Sequence, residues 1–456
     1  MLTKLDGGSS RATRGKKALC QTRHRVLQGV LLGALCAAGA LTIETTALAQ
    51  EQTVRMWTFL SPGGQSGREV VLKTLIEEFE AKYPDVTVQV EQQVWNQMSP
   101  KFLAAHSAGS APDIVWMHSE FIGPAIAAGA LADLNAHSDM STDDHADLSN
   151  SLYRAASVDG GQYAVGLSYN IMGLFARTDM FAEAGLDTAN SVKTWDDLSK
   201  VGETLTVKNA SGNTDRWGVC QHLGLGKASP GIVMASMLES DHKPFAEDGK
   251  ADWVVPSAVQ GVERAVSLIK DGFSPPDAVN WQDDDMYDQL FAGRCAIAAG
   301  ASVRIPRAQD AVGPANVTLI PYPSVSGESP APQFFTGWMP SVWSGSKNAD
   351  AAAAFVAHMV SPEADAKWAT IGGQIPVRAS TAESLKDFLG KPENDYLLIA
   401  MNYIRDAGFI PPLNADIGGY VDDLNRAVQK VIITGTDPKT ALQQAEKDYN
   451  RRHGHI

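Results

Sequence analysis

The regular exchange of period-two segments for helical ones over residues 53–117 constrains the fold more than any other feature of this 456-residue chain. Thr53–Phe59 (TVRMWTF) reads as a strand, closed by the turn Ser61-Pro62-Gly63-Gly64. From Glu69 to Lys82 the apolar residues Val70, Leu75, Ile76 and Phe79 recur at helical spacing, and Pro84 lies just past the end, where a helix stops. Val86–Val94 (VTVQVEQQV) alternates with period two, Ser99–His106 reads helical, and Asp113–Met117 (DIVWM) is a short buried strand. Strands exchanged for helices need crossover connections, so the pattern predicts an α/β lobe with a largely parallel sheet covered on both faces.

The alternation resumes further on. Tyr163–Phe175, Cys295–Ala299 and Thr318–Tyr322 read as strands, while Trp195–Thr204, Ser257–Lys270 and Ala349–Val360 read as helices. From Tyr396 the chain is mostly helical, with breaks expected at Pro411-Pro412 and Gly418-Gly419. The Pro- and Gly-rich stretches 272–276 and 321–332 are loops on composition, and there is no internal repeat. At about 150 residues per domain the length suggests two or three domains, without staples from disulfides or metal.

The first 49 residues read as a leader. Lys4, Arg11, Arg14, Lys16, Lys17, Arg23 and Arg25 precede Val26–Ile43, 18 residues without a charge, and Ala47-Leu48-Ala49 supplies a cleavage-like site. This is the layout of a secretory signal peptide cut after Ala49, which marks the protein for export. A retained anchor competes, since 18 residues just span a bilayer, but the stretch is rich in Gly and Ala. Leu35 before Cys36 is too large for a lipoprotein site. Removing residues 1–49 takes seven basic and two acidic side chains from totals of 38 and 52, leaving 31 against 50. Such an acidic surface argues against nucleic acid as a partner. Cys220 and Cys295 remain; an oxidising compartment permits them to pair, and cysteine is equally common as a small buried hydrophobe.

Motifs for chemistry are missing. There is no phosphate loop, H-E-x-x-H, C-x-x-C or G-x-S-x-G, and Gly224 and Gly226 lack the third glycine of a dinucleotide fingerprint. Asp283, Asp284 and Asp285 do not all face one way, so they read as a solvated run rather than a cation site; no metal or cofactor is expected. Tryptophan stands out instead. Trp57 ends the first strand, Trp95 follows the second, Trp116 lies inside the third, and Trp338 follows Gly337. Strand ends line the crevice of an open sheet, and an aromatic face with polar neighbours suits a sugar ring. Trp116, between Val115 and Met117, reads as core; Trp57, Trp95 and Trp338 are the better ligand candidates.

Several ordered blocks then carry a resemblance. Ala111–Val115 (APDIV) with Ala127–Leu131 (AAGAL), Gly166–Gly185 leading to Thr194–Leu198 (TWDDL), Gly293–Ser302 (GRCAIAAGAS), and Gly337–Arg378 with Ser361-Pro362-Glu363-Ala364 and Gly372–Arg378 (GGQIPVR) resemble the extracellular solute-binding proteins, family 1, of ATP-driven importers. The resemblance covers nearly all of the chain after residue 49 and implies a two-lobed α/β periplasmic-binding-protein fold, type II, with a ligand cleft between the lobes. It implies crossings near Ser168–Asn170, near Phe334–Met339 and just after Arg378. Lobe 1 is then 50–168 plus 340–378, and lobe 2 is 169–335 plus 385–456.

The resemblance further implies a monomeric binding protein for a carbohydrate, located in the periplasm, that performs no chemistry. Hinge closure around the ligand precedes delivery to permease subunits in the inner membrane, which an ATPase drives. Carried over by position, Glu120 is a hydroxyl acceptor, Asn170 a polar contact at the first crossing, and Trp338 after Gly337 a cleft aromatic. Arg378 is either a hydroxyl donor or an ion-pair partner. Ser302 stands where many sugar-binding relatives place an aromatic, which removes one stacking face. A polyol or glycerol phosphodiester is the alternative ligand, favoured if Arg304, Arg307 and Arg378 lie near the cleft. A secreted glycosidase using carboxylates such as Glu120 and Asp283 is the alternative of another class, and an exported sensory or adhesion module a third.

Overall fold

A computed structural model describes residues 51–455 except 139, 149–150, 226–229, 282 and 413–414. The leader read over residues 1–49, Gly226 and the side chain of Asp283 lie outside the described residues. Period-two and β-branched stretches give β1 (Gln52–Thr58), β2 (Val86–Gln92), β3 (Ile114–His118), β4 (Ser157–Val158), β5 (Gly161–Gln162), β6 (Ser168–Ala176), β7 (Val207–Lys208), β8 (Thr214–Cys220), β9 (Cys295–Ala301), β10 (Thr318–Ile320), β11 (Gln333–Val342) and β12 (Gly408–Phe409). β4 and β5 make a small hairpin, and the others share one sheet in the order β2-β1-β3-β11-β6-β9-β8-β7, with β10 on β6 and β12 on β11. Ile114, Val115, Trp116 and Met117 of β3 are all fully buried, which is why this central strand reads as a continuous apolar run.

The sheet is mixed rather than largely parallel. β1 runs parallel to β2 and β3, and β8 to β9, as crossover helices require, but β11 is inserted antiparallel between β3 and β6, and β6 is antiparallel to β9 as well. Both long strands change partner partway along. β11 pairs with β3 over Val342–Trp338, with β6 over Trp338–Phe335 and with β12 at Phe334 and Gln333. β6 pairs with β11 over Ser168–Ile171 and then with β9 over Met172–Ala176. The sheet is thereby divided into two parts joined by continuous strands, and each part carries its own helices.

Side-chain bonds show which late segments join each part. Asn348 Nδ2 donates to the Thr53 carbonyl at 3.0 Å, and Lys367 pairs with Glu78 at 2.6 Å, fastening the helices of residues 349–370 to β1 and the helix Gly67–Lys82. At the other end of the molecule Asn425 Nδ2 donates to Gly224 O at 2.8 Å and Asn450 Nδ2 to Ala251 O at 3.0 Å, fastening the two C-terminal helices to the part built on β8 and β9. Gly418-Gly419 does not break the chain as expected. Both lie in the first turn of the helix Ile417–Thr434, because the Asp416 carboxylate caps it by accepting from Gly419 N at 2.9 Å. Cys220 and Cys295 are joined by a disulfide, with their Cα atoms 5.8 Å apart.

The turn before Arg378 holds a buried acid. Asp365, 1% exposed, accepts from the backbone N–H groups of Val377 and Arg378 at 3.0 Å each. Burial pushes its carboxyl up to about 6 against these bonds. A folded-state value above the unfolded one contributes stability at low pH that is lost as pH rises from about 4 through 6, about 3 kcal/mol at most. Denaturant titrations at stepped pH should therefore show Asp365→Asn flattening that part of the profile; an unchanged slope would assign it to other groups.

Candidate functional site

Where β3, β6 and β11 meet, the pairing register assembles a polar and aromatic wall. Trp338 of β11 lies between His118 at the end of β3 and Ser168 at the start of β6, and Thr336 pairs with Asn170 one row further. Alternation along a strand puts Thr336 with Trp338 on one face, and Ser168 with Asn170 on one face. These residues line a cavity of about 240 Å³ together with Phe59, Arg68, Trp95, Ala301, Val303, Arg304 and Gly337. The lining comes from both parts of the sheet and from the strands that join them, so the cavity lies in the cleft.

The aromatic group is held rigidly. The Trp338 ring centroid is 4.7 Å from that of Phe59 and 4.9 Å from that of His118, which meets it edge-on. Gly337 fits because its backbone runs tight against β6: a Cβ there would stand 2.8 Å from the Ser168 carbonyl oxygen. Its N–H donates to Ser119 Oγ at 3.2 Å. Trp95, 39% exposed, opens the helix Trp95–Ser107 at the rim rather than standing in a loop after β2.

The polar groups are positioned by their neighbours. Asn170 Oδ1 accepts from Ser302 Oγ at 3.1 Å and from Val303 N at 3.2 Å, and Ser302 Oγ in turn accepts from Ile171 N at 3.2 Å. Ser302, 1% exposed, thus acts through Asn170. With its carbonyl oxygen engaged, Asn170 offers its amide N–H groups to a ligand. Glu120 lies in the turn after β3, 3.4 Å from His118 Nδ1. It lines a neighbouring apolar cavity with Phe334, Phe335 and Met339, and Thr336 lines both cavities. Burial pushes the Glu120 carboxyl up, but the charge and hydrogen bond of His118 hold it below the usual carboxylate range.

Of the residues singled out in the sequence, the structure brings Trp95, Asn170, Gly337 and Trp338 into the cavity wall, puts Ser302 behind Asn170, and sets Glu120 beside His118. Trp57 and Arg378 stand elsewhere. Trp57, 5% exposed, donates its indole N–H to Glu91 at 2.8 Å and is covered by Lys101. Arg378 lines a different surface groove, and its guanidinium pairs with Asp144 and Asp147, each at 3.0 Å. Arg304 lines the cavity, whereas Arg307 binds Asp284 at 2.6 Å and Asp288 at 3.3 Å. Phe59, Arg68 and His118 were missed. Arg68 carried a signal: a cation in the first helical turn opposes the helix dipole, so its presence there calls for another reason.

Among the described residues, no group of three or more His, Cys, Asp or Glu is arranged to hold a metal ion, and no helix is long and apolar enough to cross a membrane. The bacterial extracellular solute-binding protein family matches residues 74–393. A probable amino-acid ABC transporter periplasmic-binding protein of Sinorhizobium fredii is 25% identical over 61% of this chain and 62% of its own length, less than two thirds of that relative. The diacetylchitobiose binding protein of Streptomyces coelicolor is 23% identical over 83% of this chain and 85% of its own. An ABC substrate-binding protein of Listeria monocytogenes, solved in complex with cycloalternan, superposes with a TM-score of 0.74 at 21% identity, covering 89% of this chain and 100% of that one. The maltotriose-bound maltose/maltodextrin-binding domain of Bdellovibrio bacteriovorus gives 0.70 at 18%, over 88% and 99%. With the family matched over most of its length and the two-lobed architecture shared, this chain belongs to the bacterial extracellular solute-binding proteins.

Proposed function

We propose that this protein is the substrate-binding component of an ABC importer, capturing a carbohydrate in the cleft and delivering it to permease subunits in the inner membrane. The observation that carries this reading is Trp338, clamped by Phe59 and His118 and flanked by the amide of Asn170 in one cavity. A sugar ring needs an aromatic face for its C–H groups and fixed donors for its hydroxyls, and the cavity supplies both. The diacetylchitobiose-binding relative and the cycloalternan-bound neighbour support a saccharide over an amino acid. The lobes are 50–168 with 340–378 and 169–335 with 385–456, a division supported by the partner changes along β6 and β11 and by the bonds of Asn348 and Asn425. The chain acts as a monomer, is exported by its leader, and performs no reaction. Glu120, the carboxylate a glycosidase reading would use, is engaged by His118 at 3.4 Å.

A thermal-shift screen against mono- and disaccharides, polyols, glycerol phosphodiesters and amino acids tests the reading. A ligand of the folded state stabilises by RT ln(1 + [L]/Kd), about 2.7 kcal/mol at a hundredfold excess over Kd. A shift with one saccharide class is expected; a shift confined to amino acids would overturn the carbohydrate assignment.

A further inference from the structure

Two guanidinium groups line the cavity, those of Arg68 and Arg304, and together they bring more positive charge than the hydroxyls of a neutral sugar need. Arg68 stands in the first turn of the helix Gly67–Lys82, against the helix dipole, with its guanidinium 5.6 Å from the Phe59 ring centroid. Among the described residues no carboxylate pairs with it, since neighbouring Glu69 accepts from Ser61 N at 3.2 Å and from Ser66 N at 3.1 Å. Arg304 enters from the other part of the sheet, at the end of the turn Ser302–Arg304 that follows β9. Arg304 shares Asp284 with Arg307, at 3.9 Å and 2.6 Å respectively, and its guanidinium stands 5.9 Å from the Tyr287 ring centroid. Burial, and then the charge of Arg304, push the Arg68 guanidinium below its ordinary value, so the two like charges sense each other. Lobe closure brings such charges together at a cost unless something negative lies between them.

We infer that the ligand is an acidic saccharide, its carboxylate or phosphate gripped between Arg68 and Arg304 while a ring packs on Trp338. This rests on the carbohydrate reading above and names its substrate class. Paired guanidiniums suit either acid, because each presents a planar fork of donors to two oxygens. The anion also couples capture to closure: it relieves the repulsion only when both walls reach it, so it binds the closed form better than the open one.

The test is calorimetry on the purified protein with matched probes: galacturonate against galactose, glucuronate and glucose 6-phosphate against glucose, and inorganic phosphate and acetate alone. An acid is expected to bind at least tenfold more tightly than its neutral counterpart, and the preference should shrink as salt is raised. The arms separate the two acids. Arg68→Gln and Arg304→Gln should each remove most of the preference, and Arg68→Lys should restore part of it. If Arg68→Gln does not fold, Arg304→Gln and the comparison on the unaltered protein still decide. Equal affinity for acid and neutral sugar would overturn this inference and leave the carbohydrate reading standing; inorganic phosphate binding as tightly as glucose 6-phosphate would also overturn it. No binding by any sugar, acidic or neutral, would remove both.

Discussion

Replacing Arg378 by methionine is expected to destabilise the protein by about 3 kcal/mol while leaving ligand affinity unchanged. The guanidinium is 3% exposed and is tied on every side: Nη1 donates to Asp147 at 3.0 Å, Nη2 pairs with Asp144 at 3.0 Å, and Nε donates to the Val360 carbonyl at 2.6 Å. Its removal takes the cation from two carboxylates whose affinity for protons this charge helps to depress, leaving Asp144 to Ser141 and Asp147 to Ser380, and leaves a backbone carbonyl without its donor. Asp144 and Asp147 keep partial access to water, which holds the cost near the lower end for a broken buried pair. Denaturant unfolding of Arg378→Met, Asp147→Asn and the double variant measures the coupling; the double variant should lose less than the sum of the singles. A drop in ligand affinity at unaltered stability would return Arg378 to the binding site.

Arg378 shows where sequence reasoning stops. An arginine after a Pro-Val pair is compatible with a ligand donor and with an ion pair, and what decides is Asp144 and Asp147, more than 200 residues earlier in the chain. Tryptophans are ambiguous in the same way. Trp57, near the end of β1, meets Glu91 on the neighbouring strand, whereas Trp338, in the middle of β11, packs against the rings of Phe59 and His118. The α/β character was legible because amphipathic helices leave a periodic signal and a strand buried on both faces leaves a short apolar run, as at β3. The antiparallel insertion of β6 and β11 was not, because periodicity is silent about strand direction. Ser302 was read for the aromatic face it lacks, yet its hydroxyl holds Asn170, a contact spanning 132 residues. Gly418-Gly419 misled for a local reason: a carboxylate cap at Asp416 satisfies the first turn, and two glycines there cost too little to break a helix of 18 residues.

Trp338→Ala is expected to weaken the cleft's ligand by at least about 30-fold, equivalent to about 2 kcal/mol, with a far smaller change in unfolding free energy. The asymmetry follows from what the ring touches. It is half-buried, packed against the rings of Phe59 and His118 and facing the cavity. The backbone of β11 at that position pairs with His118 and Ser168 whatever the side chain, so the strand that joins the lobes keeps its ladder. A ligand, by contrast, loses the one face held at fixed orientation, and the donors on Asn170 then act on a ring free to tilt. Trp338→Phe keeps an aromatic face of smaller area and should recover part of the loss, whereas Trp95→Ala, at the exposed rim, should cost less than Trp338→Ala. Calorimetric titration of the three variants with the saccharide found by thermal shift measures this order. An affinity for Trp338→Ala equal to that of the unaltered protein would move the ligand off the aromatic wall and leave the strand-joining role as the reason for this residue.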